Sequence, residues 1–401
     1  MVTLTLRRGK EESLLRRHPW IFSGAIHSTD GTPEEGDVVE VRTASGDFIA
    51  RGHCGIGSIA VRVLTFDEGE PIDSAFWERR IAEAYRVREA LGLTASAQTT
   101  CYRLVHGEGD GLPGLVVDIY GTTAVMQAHS VGMYLVRDEI AAALRKVYGD
   151  RLTAVYDKSA GTVPPKSGIG AVDGYLWRSD AVVPAEEIVL EGGNRFRANW
   201  EDGQKTGFFI DQRENRALVA RYACGRRVLN TFCYTGGFSV YAMQGGAAAV
   251  DSVDSSARAV ALAADNMELN LPAPAADFRH REIVSDALEF VRNMPQNAYD
   301  LVILDPPAFA KHHKVLGNAL QGYKRLNAAA LSRMPAGGIL FTFSCSQAVS
   351  REQFRTALFS AAAVAGRRVR ILHQLTQPAD HPVNIYHPEG EYLKGLVLYV
   401  E

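Results

Sequence analysis

The chain has 401 residues, 46% of them hydrophobic and 22% charged, with a formal net charge of −3. That length exceeds what one hydrophobic core usually supports, so two or three domains are expected. No apolar run approaches the ~18 residues of a membrane span, which excludes a helical membrane protein, and the near-neutral charge confines any nucleic-acid binding to local basic patches.

The N-terminal segment carries Arg7, Arg8, Lys10, Arg16 and Arg17, interrupted by Glu11 and Glu12, and lacks the apolar core of a signal peptide. Short alternating runs, Val38–Arg42, Phe48–Arg51 and Ile59–Leu64, separated by glycine-rich turns, predict a small β-barrel or sandwich over residues 1–70. The acidic link Asp67-Glu-Gly-Glu-Pro71 leads into a helix over 74–92, with Phe76, Ile81, Tyr85 and Leu91 as its apolar face. Residues 74–190 then read as an α+β domain, with strands around 102–105, 114–120 and 123–127, a helix near 132–147 and further strands. From about 191 to 401 strands alternate with helices: Arg227–Thr231, a helix near 238–244, Ala249–Val253 and a helix from Ser256 to Leu269. This rhythm predicts βαβ units and a parallel, doubly wound sheet, hence an α/β fold class. Five cysteines, at 54, 101, 224, 233 and 345, form no CxxC pair and no Cys/His set with metal-ligand spacing. No metal site or disulfide framework is expected, and a reducing cytoplasm is the expected compartment.

In open α/β sheets the ligand crevice lies outside the carboxyl ends of the strands. The stretch Asn230-Thr-Phe-Cys-Tyr-Thr-Gly-Gly-Phe-Ser-Val240 reads as a strand, a glycine-containing loop and a helix start. Gly236 and Gly237 alone can simply shape a turn. Asp254 ends the second strand, where an acid accepts hydrogen bonds from ribose hydroxyls, and this points to an adenosine-bearing cofactor. The GxGxxG spacing of dinucleotide binding is absent. S-adenosylmethionine, which has no pyrophosphate, is favoured over NAD. The cofactor-binding candidates are Arg213 (for a methionine carboxylate), Phe232, Tyr234, Thr235, Gly236, Asp254, Ser255, Asp286 and Asp305. Asp286 reads equally as a helix N-cap, and Arg213 as a solvated helix start.

Asp305-Pro306-Pro307 closes the apolar run Tyr299–Leu304, and Cys345 closes Gly338–Phe343 ahead of a capping box, Ser350 with Gln353. If these strands are neighbours, roughly 5 Å apart, the carboxylate and the thiol share one pocket. An aromatic pyrimidine C5 is a poor nucleophile, and a thiolate added at C6 makes it able to attack a sulfonium methyl. Cys345 is the candidate nucleophile and Asp305 the candidate partner of the N3/N4 edge of cytosine. Pro306, Pro307 and Phe309 are the substrate-side candidates, with Phe309 read either as a base-stacking ring or as core packing. No histidine or lysine adjacent in sequence activates the thiol.

These residues carry a resemblance. Lys205–Arg213, Asn230–Phe238, Leu304–Phe309, Thr342–Ser346, Ala379-Asp-His-Pro382 and Pro388–Lys394 resemble the large-subunit ribosomal RNA cytosine-5 methyltransferase I family, and Arg17–Gly24 is similar to its PUA domain. The resemblance implies a PUA domain over 1–70, a middle α+β domain over 74–190 and a class I (Rossmann-like) methyltransferase domain over 191–401. It also implies S-adenosylmethionine as cofactor, large-subunit (23S) ribosomal RNA as partner, and Cys345 in the nucleophile position. Many RNA cytosine-5 methyltransferases carry a second cysteine beside the Asp-Pro motif, whereas here Ala308 and Phe309 follow Pro307. The group that removes the C5 proton is therefore left open, with His381 a candidate by chemistry that also reads as a structural turn histidine. A homodimer is compatible with this reading, and no membrane partner is expected. The competing readings are an exocyclic amino (N4/N6) methyltransferase, a non-catalytic RNA-binding assembly factor and, more distantly, a dehydrogenase.

Overall fold

The computed structural model describes residues 1–179, 186–271, 279–309 and 315–401. The chain folds as two compact units. One comprises Met1–Val189, Ala198–Ile210 and Ala379–Gly390, and the other Leu190–Arg197, Asp211–Pro378 and Glu391–Glu401.

The first unit holds two sheets. Six strands in the order Trp20–Phe22, Ile59–Thr65, Phe48–Cys54, Val38–Arg42, Val2–Leu6 and Ile26–Thr29 make the N-terminal sheet. The alternation in Val38–Arg42 works as a half-buried strand should: Val39 and Val41 enter the core with Leu4, Leu6 and Ile21, while Glu40 and Arg42 pair outside it at 2.6 Å. A five-stranded sheet follows, Gly174–Arg178, Ala154–Asp157, Thr123–Ala128, Leu115–Tyr120 and Cys101–His106. Helix Ser74–Ala90, capped by Asp73 on the Phe76 amide, shares this sheet's core through Phe76, Trp77, Ile81 and Ala84. One of the expected apolar positions changes, and one residue outside that expected face is buried. Leu91 lies past the helix end and is 42% exposed, whereas Arg88 is fully buried. The Arg88 guanidinium donates to both Asp110 carboxylate oxygens and to the Asp380 carbonyl, so a side chain that reads as solvated is neutralised inside. The single helix expected near 132–147 is two, Val131–Leu135 and Arg137–Tyr148, because Val136 leaves helical geometry at φ −97°, ψ 13°.

The second unit is an open α/β sheet of seven strands: β1 (Arg227–Thr231), β2 (Ala249–Asp254), β3 (His280–Val284), β4 (Leu301–Leu304), β5 (Ile339–Ser344), β6 (Val369–Thr376) and β7 (Lys394–Val400). Their order is β3-β2-β1-β4-β5-β7-β6. β1 through β5 pair in parallel, and β7 runs antiparallel to both β5 and β6. β4 and β5 are buried along their whole lengths, as strands covered on both faces must be, which is why they read as unbroken apolar runs. The chain reverses direction across the sheet between β1 and β4, and that switch point puts the crevice at their carboxyl ends.

A buried ion pair stabilises this unit. Glu191 is completely buried, and Arg216, at the inner face of helix Arg213–Ala223, donates Nε and Nη2 to its two carboxylate oxygens at 2.7 Å each. Removing Arg216 leaves the Glu191 charge in a dry environment with only the longer contact to Arg213, at 3.7 Å. Arg216→Met is expected to cost about 3–5 kcal/mol, read as a lowered midpoint in urea unfolding. Arg16→Met, which breaks the solvent-exposed pair with Glu12, leaves the midpoint within error. Equal midpoints for the two variants would remove the Glu191–Arg216 pair from the account of stability.

Candidate active site

Past the end of β1 the backbone turns sharply. Phe232 and Tyr234 adopt left-handed conformations, φ 56° and 45°, and Gly236 follows at φ 74° as the N-cap of helix Gly237–Gln244. Left-handed backbone at two non-glycine residues is uncommon and persists only where the surroundings enforce it. Here Asp254, at the end of β2, accepts the Tyr234 amide on Oδ2 and the Ser256 amide on Oδ1, both at 3.0 Å. Asn266 donates to the Thr235 carbonyl at 2.9 Å from the neighbouring helix Ala257–Glu268. Gly236 is required twice over, by its positive φ and because a Cβ would come within 2.8 Å of the Ala263 Cβ.

The cofactor candidates separate on these contacts. Asp254 is only half-buried and has used two of its roughly four lone-pair sites, so it can still accept from ribose hydroxyls. Ser255 and Asp286 are exposed nearby in the chain path, and the Ser285 amide donates to the Asp254 carbonyl, tying the ends of β2 and β3 together. Asp286 caps helix Ala287–Asn293 through the Glu289 amide at 2.8 Å. Phe232 and Tyr234 are half-buried, with Thr235 buried between them and the helix. Arg213 opens helix Arg213–Ala223 with its Nε 3.7 Å from Glu191, so the carboxylate beside it here belongs to the protein. A turned loop, an acid at the second strand end and flanking half-exposed rings form a donor set that fits an adenosine-bearing ligand.

On the other side of the switch point, the parallel pairing of β4 with β5 aligns Leu304 with Thr342 and carries Asp305 and Cys345 to the carboxyl end of the sheet. The Cys345 sulfur lies 4.0 Å from the Pro306 carbonyl oxygen, and both Asp305 and Cys345 are half-buried. Asp305 accepts from Gln212 Nε2 at 3.0 Å, and Gln212 in turn accepts from Asn215 at 2.6 Å. This buried amide relay fixes the carboxylate's orientation. Pro306 is buried and Pro307 exposed. Phe309 packs on Tyr323, ring centroids 4.7 Å apart, and over Gly322, whose missing side chain makes room for the ring.

Three groups at this edge escaped the sequence reading. Gln212 lies inside a conspicuous polar motif but shows no sign of reaching residue 305. Tyr323, mid-helix in Leu316–Arg333, accepts the Ser344 hydroxyl at 2.9 Å. Burial pushes its phenol up to about 12, helped by the nearby Cys345 and Asp305. Lys394, at the start of β7, is buried and donates to the Ser346 and Val349 carbonyls, both at 2.6 Å. Burial pulls its ammonium down to about 8, against the opposing influence of Cys345. Cys233 is a different kind of cysteine. It sits in an apolar cluster with Val260 and Ala263, and burial, reinforced by Asp254, drives its thiol far upward. His381 belongs to the first unit, where it is buried beside Asp380 at 3.2 Å.

Comparisons with known proteins agree with this geometry. Residues 172–384 match the model of the S-adenosylmethionine-dependent methyltransferase family, and residues 4–66 that of a PUA-like domain. The chain is 41% identical to ribosomal RNA large subunit methyltransferase I of Aeromonas hydrophila, covering 99% of this chain and 98% of the relative. It is 39% identical to the protein of that name from Escherichia coli O157:H7, over 100% and 99%. Among solved structures it resembles a putative SAM-dependent methyltransferase from Streptococcus mutans, with TM-score 0.82, 25% identity, and 99% and 100% of the two chains covered. A putative methyltransferase complexed with SAH matches with TM-score 0.84, 25% identity and the same coverage. Since Asp254 shapes the loop and keeps acceptor sites beside it, Asp254→Ala is expected to weaken S-adenosylmethionine binding about 10- to 100-fold in calorimetric titration. An unchanged Kd would remove Asp254 from the cofactor site.

Proposed function

Because this chain belongs to the ribosomal RNA large subunit methyltransferase I family of S-adenosylmethionine-dependent enzymes, we propose that it transfers a methyl group to C5 of a cytosine in large-subunit ribosomal RNA. The observation that carries this reading is the Cys345 sulfur 4.0 Å from the Pro306 carbonyl, at the end of the strand beside the one that ends in Asp305. S-adenosylmethionine supplies an electrophilic methyl on a sulfonium, and an unactivated C5 does not attack it. In the proposed reaction the Cys345 thiolate adds to C6 of a base turned out of its stack, and the electron pair moves to C5. C5 takes the methyl, the C5 proton leaves to a base, and the C6–S bond breaks as the ring regains aromaticity and frees the thiolate. Asp305, oriented by Gln212, faces the N3/N4 edge and stabilises charge built up in the ring. The PUA-like sheet and the basic N-terminal segment hold RNA by shape and phosphate contacts.

Cys233 does not compete for the nucleophile's role, since its thiol is buried in apolar surroundings and resists ionisation. Cys345→Ser is expected to lower incorporation of labelled methyl into ribosomal RNA by at least about 1,000-fold, with S-adenosylmethionine binding retained in calorimetry. Incorporation near the wild-type rate would overturn the covalent mechanism and favour attack by an exocyclic amino group, which needs no thiol. Bisulfite sequencing of ribosomal RNA from cells lacking the protein is expected to lose one protected cytosine. An unchanged bisulfite pattern would count against C5 as the target atom.

A further inference from the structure

Lys394 lies in the Pro388–Lys394 motif, which the reaction as written does not use. In the register of β7 against β5 it stands opposite Ser344, the residue before Cys345. Its side chain is 5% exposed, and its ammonium donates to Ser346 and Val349, both carbonyls of the turn that follows the cysteine. Neither acceptor carries a full charge. A buried ammonium with only neutral acceptors bears an uncompensated desolvation cost, which a nearby anion would relieve.

We infer that Lys394 is the positioning group of Cys345: its ammonium holds the Cys345–Val349 turn by two carbonyls and supplies the local positive charge that stabilises the sulfur as a thiolate. This rests on Cys345 being the nucleophile. Among the described residues, the other charged and titratable groups that act on the pair are Tyr323, Asp305, Arg351 and Glu391. Tyr323, from helix Leu316–Arg333, stays neutral at working pH because burial pushes it up to about 12. Asp305 follows β4 and, as a carboxylate, is a like charge to a thiolate. Arg351, at the start of helix Arg351–Ala365, opposes a charged Lys394, and Glu391 favours it. Lys394 is the cation joined by hydrogen bonds to the cysteine's own turn, and the interaction between the two favours the charged lysine as it favours the thiolate. The thiol proton passes to solvent, and what remains is an ion pair of ammonium and thiolate. An activating cation is thus supplied from 49 residues along the chain (394 − 345), which is why no neighbour in sequence provides it.

The test is the pH dependence of Cys345 alkylation by iodoacetamide in the full-length protein, read on the Cys345 peptide by mass spectrometry so that the other cysteines do not contribute. The wild-type midpoint is expected below the ~8.5 of an unperturbed cysteine. Lys394→Met is expected to move the midpoint up by at least about one unit, making alkylation roughly tenfold slower at pH 7. Lys394→Arg, which keeps the charge, should return the midpoint toward wild type. For methyl transfer, the loss of kcat in Lys394→Met should recover at alkaline pH, as a purely structural defect would not. A wild-type midpoint at or above ~8.5, or a Lys394→Met midpoint equal to wild type, overturns the inference. If Lys394→Met does not fold by circular dichroism, the wild-type and Lys394→Arg midpoints decide. An active Cys345→Ser enzyme would instead defeat the proposed reaction, while the alkylation midpoints would still report on the pairing itself.

Discussion

The parallel ladder between β4 and β5 is the contact on which the site depends. Its register sets Leu304 against Thr342, so both strands release their chains at the carboxyl end of the sheet, β4 into Asp305-Pro306 and β5, two residues further on, into Cys345. A slip of one residue would send the carboxylate or the sulfur to the opposite face of the sheet. Burial on both faces specifies that register strongly, because every side chain of the two strands has a place in the apolar core.

Around this fixed edge the polar groups are held indirectly. Asp305 is oriented by Gln212, Gln212 by Asn215, and the neighbouring loop after β1 by Asp254. In the first two links an amide side chain donates, in the third the Asp254 carboxylate accepts a backbone amide, and Gln212 reaches Asp305 across 93 residues. Glu191 and Arg216 do the same for the helix that carries Gln212 at its head, since Arg216 lies in the first turn of Arg213–Ala223. Stability of that buried pair and orientation of Asp305 are therefore coupled through a single helix.

Much of this was legible in the amino-acid sequence, for physical reasons. Strands buried on both faces appear as apolar runs, so β4 and β5 and their terminal Asp305 and Cys345 could be read directly, as could the Ser350–Gln353 capping box, which is present. The residues that eluded it are those whose environment is made by distant parts of the chain. Arg88 reads as surface and is core because Asp110 and Asp380 neutralise it. Gln212 and Lys394 are ordinary polar residues until folding brings them to residues 305 and 346. The break at Val136 has no proline or glycine to announce it. Asp286 and Phe309 had two readings each. The contacts seen are the cap, which uses one Asp286 carboxylate oxygen and leaves the other for a ligand, and the ring packing of Phe309 on Tyr323.

The antiparallel insertion of β7 has one more outcome. Because it fills the space between β5 and β6, the strand bearing the sulfur has a hydrogen-bonded neighbour on either flank and no free margin. The thiol thus sits one residue past the end of a strand paired on both sides. In the proposed reaction it is therefore the nucleic acid that leaves its own helix and brings the base to a stationary anvil.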